Sequence, residues 1–325
     1  MKTSTRAALI VAAVLILAGA VLCGLSLMRG GSLKDMFSTG NTAMRTVEVE
    51  LADGFTSIDV EDTVAEISFL PAGGSASRVV FYENTKHPHT AEVVGGTLTV
   101  RQGREQGRKW FNDWDIAAET PTVTVYLSGD VYDSLRVKTD TGDVTIPAGF
   151  RFTSLRIDAD TADISCGAGV GETAVIGTDT GDIRIEEAPM GDVLLDTDTG
   201  RITLDSVFLS GALQISSHTG NVGLTDVACT GAEIKTTTGK VKLADCLISG
   251  KLNVETDTGD VTLDASDADE IEIETDTGDV TGTLLSEKIF FVESDTGKIE
   301  VPRSMTGGPC EIETDTGDVK ISIAE

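Results

Sequence analysis

Thr139-Asp140-Thr141-Gly142-Asp143-Val144 is the stretch of sequence that decides the fold, because close copies of it recur to the end of the chain. With Gly142 as the marker position, ten copies follow one another at intervals of 19 or 20 residues. The marker positions are Gly142, Ala162, Gly181, Gly200, Gly220, Gly239, Gly259, Gly278, Gly297 and Gly317. A fixed period of this length is the sequence signature of a protein built from stacked repeats.

Apolar residues alternate with polar ones on both sides of each marker. In the first copy Leu135 and Val137 precede Gly142, and Val144 and Ile146 follow it. A spacing of two places side chains on one face of a β-strand, so each copy predicts two short strands joined by a corner. One such unit is too small to bury its own apolar face, so the units must stack. The sequence therefore predicts an all-β fold, a single-stranded parallel β-solenoid of 19–20-residue coils, preceded by one transmembrane helix.

The residue types at the corner suit a tight turn. Glycine at the marker accepts a positive φ without a Cβ clash, and the aspartate two positions earlier favours an Asx turn. Threonine stands directly before the marker in all ten copies, and we expect its hydroxyl to hydrogen-bond along the stack. Ala162 should strain its corner unless that coil turns with a negative φ.

The remaining chain divides into four further regions. Residues 46–130 have alternating strands without the marker, which predicts degenerate coils leading into the regular solenoid of residues 131–325. A loop insertion occupies residues 101–119, and the small and polar residues of 29–45 are typical of a linker. Residues 7–28 are uncharged and, as a helix, would be about 33 Å long, enough to cross a bilayer core of about 30 Å.

The flanking charges of the apolar segment indicate its orientation. Lys2 and Arg6 precede it, so residues 1–6 are predicted to be cytoplasmic and the solenoid extracytoplasmic. The predicted location is the cytoplasmic membrane, with residues 7–28 as a single-pass signal anchor. Cleavage after Ala18-Gly19-Ala20, as in a secretory signal peptide, is the alternative.

Composition excludes some function classes. The chain has 53 acidic and 25 basic residues, a formal net charge of −28, so it lacks the basic face that nucleic-acid binding needs. Three histidines and five cysteines supply few ligands for a metal centre of their own. Four cysteines stand at apolar positions of the repeat and are predicted to be buried small hydrophobic residues. They are Cys166, Cys229, Cys246 and Cys310.

The apolar anchor, the leading strands and the recurring Thr-Asp-Thr-Gly-Asp-Val units resemble the bacterial putative-adhesin family of β-solenoid proteins. The resemblance covers residues 45–325 and rests on the ten-copy repeat. It implies a membrane-anchored binding or structural protein, and it supplies no catalytic residues and no cofactor to transfer.

Aspartates of successive coils are the first candidate site. One column lies two residues before the marker and another one residue after it, and adjacent coils about 4.8 Å apart would bring like charges together. A hard cation such as Ca²⁺ would relieve that repulsion, with Asp257, Asp260, Asp276 and Asp279 as the candidate ligands. The alternative is turn-forming aspartate on a solvated edge, and it is favoured by basic residues such as Lys240 and Lys298 that interrupt the second column.

The second candidate site is the one locally basic stretch, which also contains both tryptophans. Trp and Arg are enriched where proteins bind partners, so this loop is predicted to contact a glycan, a lipid headgroup or a protein. The alternative is a hairpin whose aromatic side chains cover the first coil. The predicted contact residues are Arg108, Lys109, Trp110, Phe111 and Trp114.

Together these observations predict an adhesin-like structural or binding protein that presents an acidic repeat surface to envelope polymers or protein partners. Two alternatives remain open: a β-helical polysaccharide-active enzyme, and an envelope-stress sensor acting through a membrane partner. The chain ends almost directly after its last copy, at Ile321-Ser322-Ile323. That ending predicts an uncapped terminal coil through which two copies would self-associate.

Overall fold

The computed structural model describes residues 44–51, 54–74, 76–103 and 119–324. All regular elements in these ranges are β-strands, and they join one hydrogen-bonded sheet of 26 strands. The predicted membrane anchor, residues 7–28, and all but the last two residues of the predicted linker lie outside the described residues. No helix in the described part of the chain has the length and apolarity needed to span a membrane.

Seven strands precede the regular repeat. They are β1 (Met44–Glu50), β2 (Ser57–Asp62), β3 (Glu66–Pro71), β4 (Arg78–Asn84), β5 (His89–Val94), β6 (Thr97–Gln102) and β7 (Thr122–Leu127). The repeat itself contains β8 (Val131–Thr141), β9 (Val144–Ile146), β10 (Arg151–Thr161), β11 (Ile164–Cys166), β12 (Gly169–Thr180), β13 (Ile183–Glu186), β14 (Pro189–Thr199), β15 (Ile202–Leu209), β16 (Ala212–Thr219), β17 (Val222–Cys229), β18 (Gly231–Thr238), β19 (Val241–Ala244), β20 (Leu247–Thr258), β21 (Val261–Thr275), β22 (Val280–Leu284), β23 (Lys288–Ser294), β24 (Ile299–Glu300), β25 (Gly308–Thr314) and β26 (Val319–Ile323).

The repeat folds as the predicted parallel β-solenoid. Each long strand pairs in parallel with its equivalents in the neighbouring coils, so that Ile157 lies between Val137 and Ile176. This register stacks the alternating apolar residues into columns that are fully buried inside the coils. Each fully buried Val, Leu or Ile contributes about 1.5–3 kcal/mol, and only stacking makes that burial possible.

Most marker positions require glycine because the backbone of the neighbouring coil leaves no room for a Cβ atom. Only some of them require it because φ is positive. Gly142, Gly181 and Gly200 have positive φ, as predicted, whereas the other six marker glycines are not in the left-handed region. A Cβ on Gly239 would lie 1.9 Å from the carbonyl oxygen of Gly220 in the coil before it, and the remaining five meet the same obstacle. Ala162 turns without a positive φ and is buried at 3% exposure, which is the predicted exception.

Two threonine columns carry side-chain hydrogen bonds along the stack. The threonine directly before each marker is exposed, and in the first copy the hydroxyl of Thr141 donates to the carbonyl of Thr63 in the neighbouring coil at 3.1 Å, as predicted. The buried threonine three residues before the marker donates to the carbonyl of the preceding marker, because its strand points it inward at the corner. The bonds are Thr178 to Ala162 and Thr197 to Gly181, both 3.3 Å, and Thr275 to Gly259, 3.4 Å. The hydroxyls of Ser217 and Thr256 in this column have no hydrogen-bond partner.

The leading region is only partly a set of degenerate coils. Strands β2 and β3, and likewise β6 and β7, pair in parallel with the stack, but β6–β7 lie beyond β2–β3 and not between β2–β3 and β8. Strands β1, β4 and β5 form antiparallel pairs. The leading region therefore combines parallel coils with three antiparallel strands, and of these only β5 is joined to its partner, β6, by a short hairpin connection.

The C-terminal coil is not the end of the stack. Strand β25 pairs with β21 on one side and with β23 on the other, and β26 lies between β22 and β24 in the same way. The last coil in sequence is thus inserted before β23–β24, which form the outermost described coil. Strand β22 pairs with Val319–Ile323 along the whole of β26, whereas β24 covers only Val319 and Lys320. The predicted edge at Ile321–Ile323 is thus paired on one side, and self-association through it stays a prediction.

Candidate functional site

The aspartate that stands one residue after six of the ten markers has a structural task. Its side-chain oxygen accepts the backbone N–H of the equivalent residue in the next coil, and Asn221 substitutes with its amide oxygen. The contacts, donor N–H first, are Asp163 to Asp143, 3.0 Å; Asp182 to Asp163, 2.8 Å; Arg201 to Asp182, 2.7 Å; Lys240 to Asn221, 2.9 Å; Asp279 to Asp260, 3.3 Å; Asp318 to Asp279, 2.8 Å; and Lys298 to Asp318, 2.8 Å. These residues, here called the carboxylate column, satisfy corner N–H groups that strand pairing leaves free.

Two of the candidate calcium ligands, Asp260 and Asp279, belong to this column, and the other two are exposed to solvent. Asp260 accepts the N–H of Asp279 through one oxygen, and its other oxygen lies 2.7 Å from Nζ of Lys240. The Lys240 hydrogen bond and the Asp279 N–H lower the pKa of Asp260. Asp257 and Asp276 are exposed at the corner. Within the described ranges no three His, Cys, Asp or Glu residues are grouped so as to hold a metal ion.

Calcium is therefore expected to leave the stability of the solenoid unchanged. Carboxylates already paired with an N–H or an ammonium group gain little from a cation that must first displace that partner. The measurement is the thermal unfolding midpoint in millimolar Ca²⁺ and in chelator. A midpoint that rises and saturates with Ca²⁺, and no longer does so in Asp257→Asn/Asp276→Asn, would contradict this and establish a calcium site.

The predicted contact loop lies outside the described residues, together with Arg108, Lys109, Trp110, Phe111 and Trp114. The residues that flank it on both sides are described. Strand β6 ends at Gln102 and β7 begins at Thr122, and the N–H of Gly103 donates to the carbonyl of Pro88 at 2.8 Å. The described residues on either side of 104–118 therefore belong to the coil β6–β7.

The four cysteines of the repeat are buried free thiols, as predicted. Burial raises the pKa of Cys166 and of Cys229 to about 11 and that of Cys310 to about 12. Thiols whose pKa lies so far above neutral pH are poor nucleophiles and poor metal ligands. Their role is packing.

A buried charge cluster in the leading region is the feature that sequence reasoning missed. The ring of His89 places Nε2 2.6 Å from Asp62 and Nδ1 2.9 Å from Glu83, and all three side chains are 1% exposed. Arg45 reaches the other oxygen of Glu83 at 2.7 Å, and the ring of Phe81 stacks on His89 at 5.0 Å. We call Arg45, Asp62, Glu83 and His89 the histidine cluster.

The cluster holds an imidazolium between two carboxylates. Burial alone would lower the pKa of His89, but the hydrogen bonds and attraction from Asp62 and Glu83 outweigh it, so the pKa is raised above 6.5. Burial likewise opposes ionisation of both acids, yet their hydrogen bonds leave the pKa of Asp62 and of Glu83 below their usual values. The sequence contained a signal, because Asp62 continues the inward-facing positions of Ile58 and Val60.

A stack of parallel coils, joined by the carboxylate column and begun by antiparallel strands, defines a β-solenoid repeat protein. The chain belongs to the Toastrack DUF4097 family, whose model matches residues 55–217 and 210–325. This match, together with solved structures described as putative adhesins, confirms the resemblance to the putative-adhesin family. No curated protein matches the chain.

Several solved structures are similar to the chain at low sequence identity. A putative adhesin from Parabacteroides distasonis and another from Parabacteroides merdae each have a TM-score of 0.50 and 12% identity, over 88% of this chain and 98% of theirs. A protein from Parabacteroides distasonis described as a putative lipid binding protein has a TM-score of 0.46 and 14% identity, over 88% and 98% of the two chains. At these identities the likeness to the two putative adhesins shows the fold alone.

Proposed function

We propose that the chain is a membrane-anchored, extracytoplasmic, adhesin-like protein that has a structural or binding role and no catalytic one. The observation that carries the proposal is the regular register of the coils, which repeats each outward position at steps of about 4.8 Å. Such a surface suits contact with a polymer or a long partner, since the same contact is available in coil after coil. The exposed aspartates make much of this surface acidic.

The contact loop supplies the chemical complement of that surface. Arg108, Lys109, Trp110, Phe111 and Trp114 combine basic and aromatic side chains, which favours a role as the adhesive end of the molecule. In this proposal the partner is an envelope glycan or protein and no nucleic acid is bound.

Substitution of the loop should reduce binding to the cell envelope. We expect Arg108→Ala/Trp110→Ala to lower the fraction of full-length protein that sediments with purified cell-wall sacculi by about tenfold, because such residues carry most of the energy of an interface. The matched control is Phe208→Ala, which removes an exposed aromatic side chain from the solenoid itself. Equal sedimentation of all three proteins would refute the role of the loop. An alkaline phosphatase fusion at the C-terminus, active only outside the cytoplasm, tests the orientation separately.

A further inference from the structure

The outermost described coil leaves one strand edge unpaired. Strand β23 pairs with β25 and β24 pairs with β26, and neither has a second neighbouring coil among the residues that the structure describes. The outer edge of β23 therefore presents a row of backbone N–H and C=O groups to solvent. Such a row is a template on which another strand is able to pair.

The inward side of this coil also lacks a cover. Phe290 and Val292 continue the buried columns of Cys310 and Ile312 in the neighbouring strand. Cys310 is 0% and Ile312 2% exposed, whereas Phe290 and Val292 are only partly buried. One more strand with apolar side chains facing inward would complete the burial of both columns.

The outward side of the same strands is strongly acidic. In register, Glu272, Glu311 and Phe291 form one row, and Glu274, Glu313 and Glu293 form the next. These residues line a concavity of about 480 Å³, and Phe291 is 57% exposed within it. We call this surface the glutamate face.

Most of the glutamate face has no counter-charge of its own. Of its members, Glu272 pairs with Lys251, which also contacts Glu270. Lys235 pairs with Glu233 and Glu255, which lie outside the face in earlier coils of the solenoid. In the described residues no ion pair reaches Glu274, Glu293, Glu311 or Glu313. Neighbouring strands hold these carboxylates about 4.8 Å apart, so a cation beside them relieves their mutual repulsion.

We propose that the outer edge of β23 binds an extended basic strand of a partner protein, in which lysine or arginine alternates with apolar residues. Backbone pairing extends the sheet, and the apolar side chains cover Phe290 and Val292. The basic side chains extend the two rows of the glutamate face, where a guanidinium is also able to lie over the ring of Phe291. A second copy is a poorer occupant, since it would place an acidic face beside an identical one.

This inference goes beyond the proposed function, because it requires neither the membrane anchor nor the contact loop. Its test uses the full chain in detergent and a labelled nine-residue peptide that alternates lysine and valine, with binding measured by fluorescence anisotropy. We expect saturable binding that weakens with salt. The same peptide with glutamate for lysine, or with every backbone nitrogen methylated, should not bind, because charge and backbone pairing are both required.

Matched charge reversals locate the binding site. Glu293→Lys/Glu313→Lys should weaken peptide binding at least about tenfold, since it reverses the face beside the edge. Asp179→Lys/Asp198→Lys makes the same change in net charge at exposed corners in the middle of the solenoid, and it should leave binding nearly unchanged. Phe291→Ala should weaken binding without altering the salt dependence.

Three results would overturn the proposal. Equal weakening by the two charge reversals would mean that the peptide senses only net charge. Undiminished binding of the methylated peptide would mean that no strand pairing occurs. A dimer of the full chain in ultracentrifugation that is lost in Glu293→Lys/Glu313→Lys would assign the edge to a second copy.

Discussion

Replacing Gly259 by alanine is expected to lower the free energy of unfolding by about 3 kcal/mol or more, because the substitution overpacks a backbone contact. A Cβ at this position would lie 1.9 Å from the carbonyl oxygen of Gly239 in the coil before it. That oxygen belongs to the backbone of a paired coil, so neither group is able to move without breaking the stack. In a solenoid, stability depends on each contact between neighbouring coils, and this substitution opens one of them.

Gly223→Ala is the matched control for this prediction. It is also a glycine of the repeat, three residues after the marker Gly220, but a Cβ there meets nothing within 4 Å, and its φ is not in the left-handed region. We expect a change within about 0.5 kcal/mol, or a small gain, since alanine restricts the unfolded chain more than glycine does. Denaturant unfolding followed by circular dichroism measures both variants. If Gly259→Ala proved as stable as Gly223→Ala, close stacking would not be the reason for the marker glycines.

The repeat made the architecture predictable, because period and alternation specify strands that must stack. The same pattern says less about how corners are built. At a second corner, six residues after the marker, five coils in succession have a positive φ without using glycine. The residues are Glu187, Ser206, Asp226, Asp245 and Ala265. Sequence reasoning had no signal for this corner, since the stack imposes a conformation that these residue types disfavour on their own.

The order of the coils at both ends was also beyond sequence reasoning. Repeat spacing gives the number of coils but assumes that neighbours in sequence are neighbours in space. The structure departs from this where β25–β26 insert before β23–β24 and where β6–β7 lie beyond β2–β3. The chain steps over a coil through short connections, since three residues, 285–287, join β22 to β23 and three, 128–130, join β7 to β8. The site at β23 depends on this order, so only the structure was able to reveal it.

The role of the aspartate columns becomes clear only from the register in which the coils pair. The sequence offered turn formation as the alternative to calcium binding. It did not indicate that the carboxylate of Asp143 accepts the N–H of Asp163, because that contact joins residues 20 positions apart. Once the register is known, an aspartate at this position is explained by an N–H group that needs an acceptor. The carboxylate column is therefore first a structural element of the stack.

The second large effect is expected at the histidine cluster, where His89→Gln should destabilise the leading coils by about 3 kcal/mol near pH 5.5. Glutamine cannot supply the positive charge, so Asp62 and Glu83 would be left as buried carboxylates with too few counter-charges. Removing one partner of a buried ion pair typically costs about 3–5 kcal/mol, and here Arg45 still neutralises part of the charge.

The sign of the pH dependence follows from the pKa shifts. The pKa of His89 is raised in the folded chain, so its contribution is complete below its unfolded value of 6.5 and is lost as the pH rises through the raised value. The pKa values of Asp62 and Glu83 are lowered, so their contributions are complete above 3.8 and 4.5 and are lost as the pH falls through the lowered values. All three contributions are therefore present together between about pH 4.5 and pH 6.5.

Native-state hydrogen exchange of β4 and β5 measures this local stability against pH. The wild-type protein should lose protection as the pH rises above the raised pKa of His89, after correction for the intrinsic exchange rate, whereas His89→Gln should show no such loss. His218→Gln is the matched control, because His218 is exposed in the solenoid and its loss should leave the profile of the wild type intact. A pH profile of His89→Gln that superimposes on that of the wild type would mean that the imidazolium does not stabilise the leading coils. The decisive comparison is between the two variants, since both remove one histidine and only one of them removes it from between two buried carboxylates.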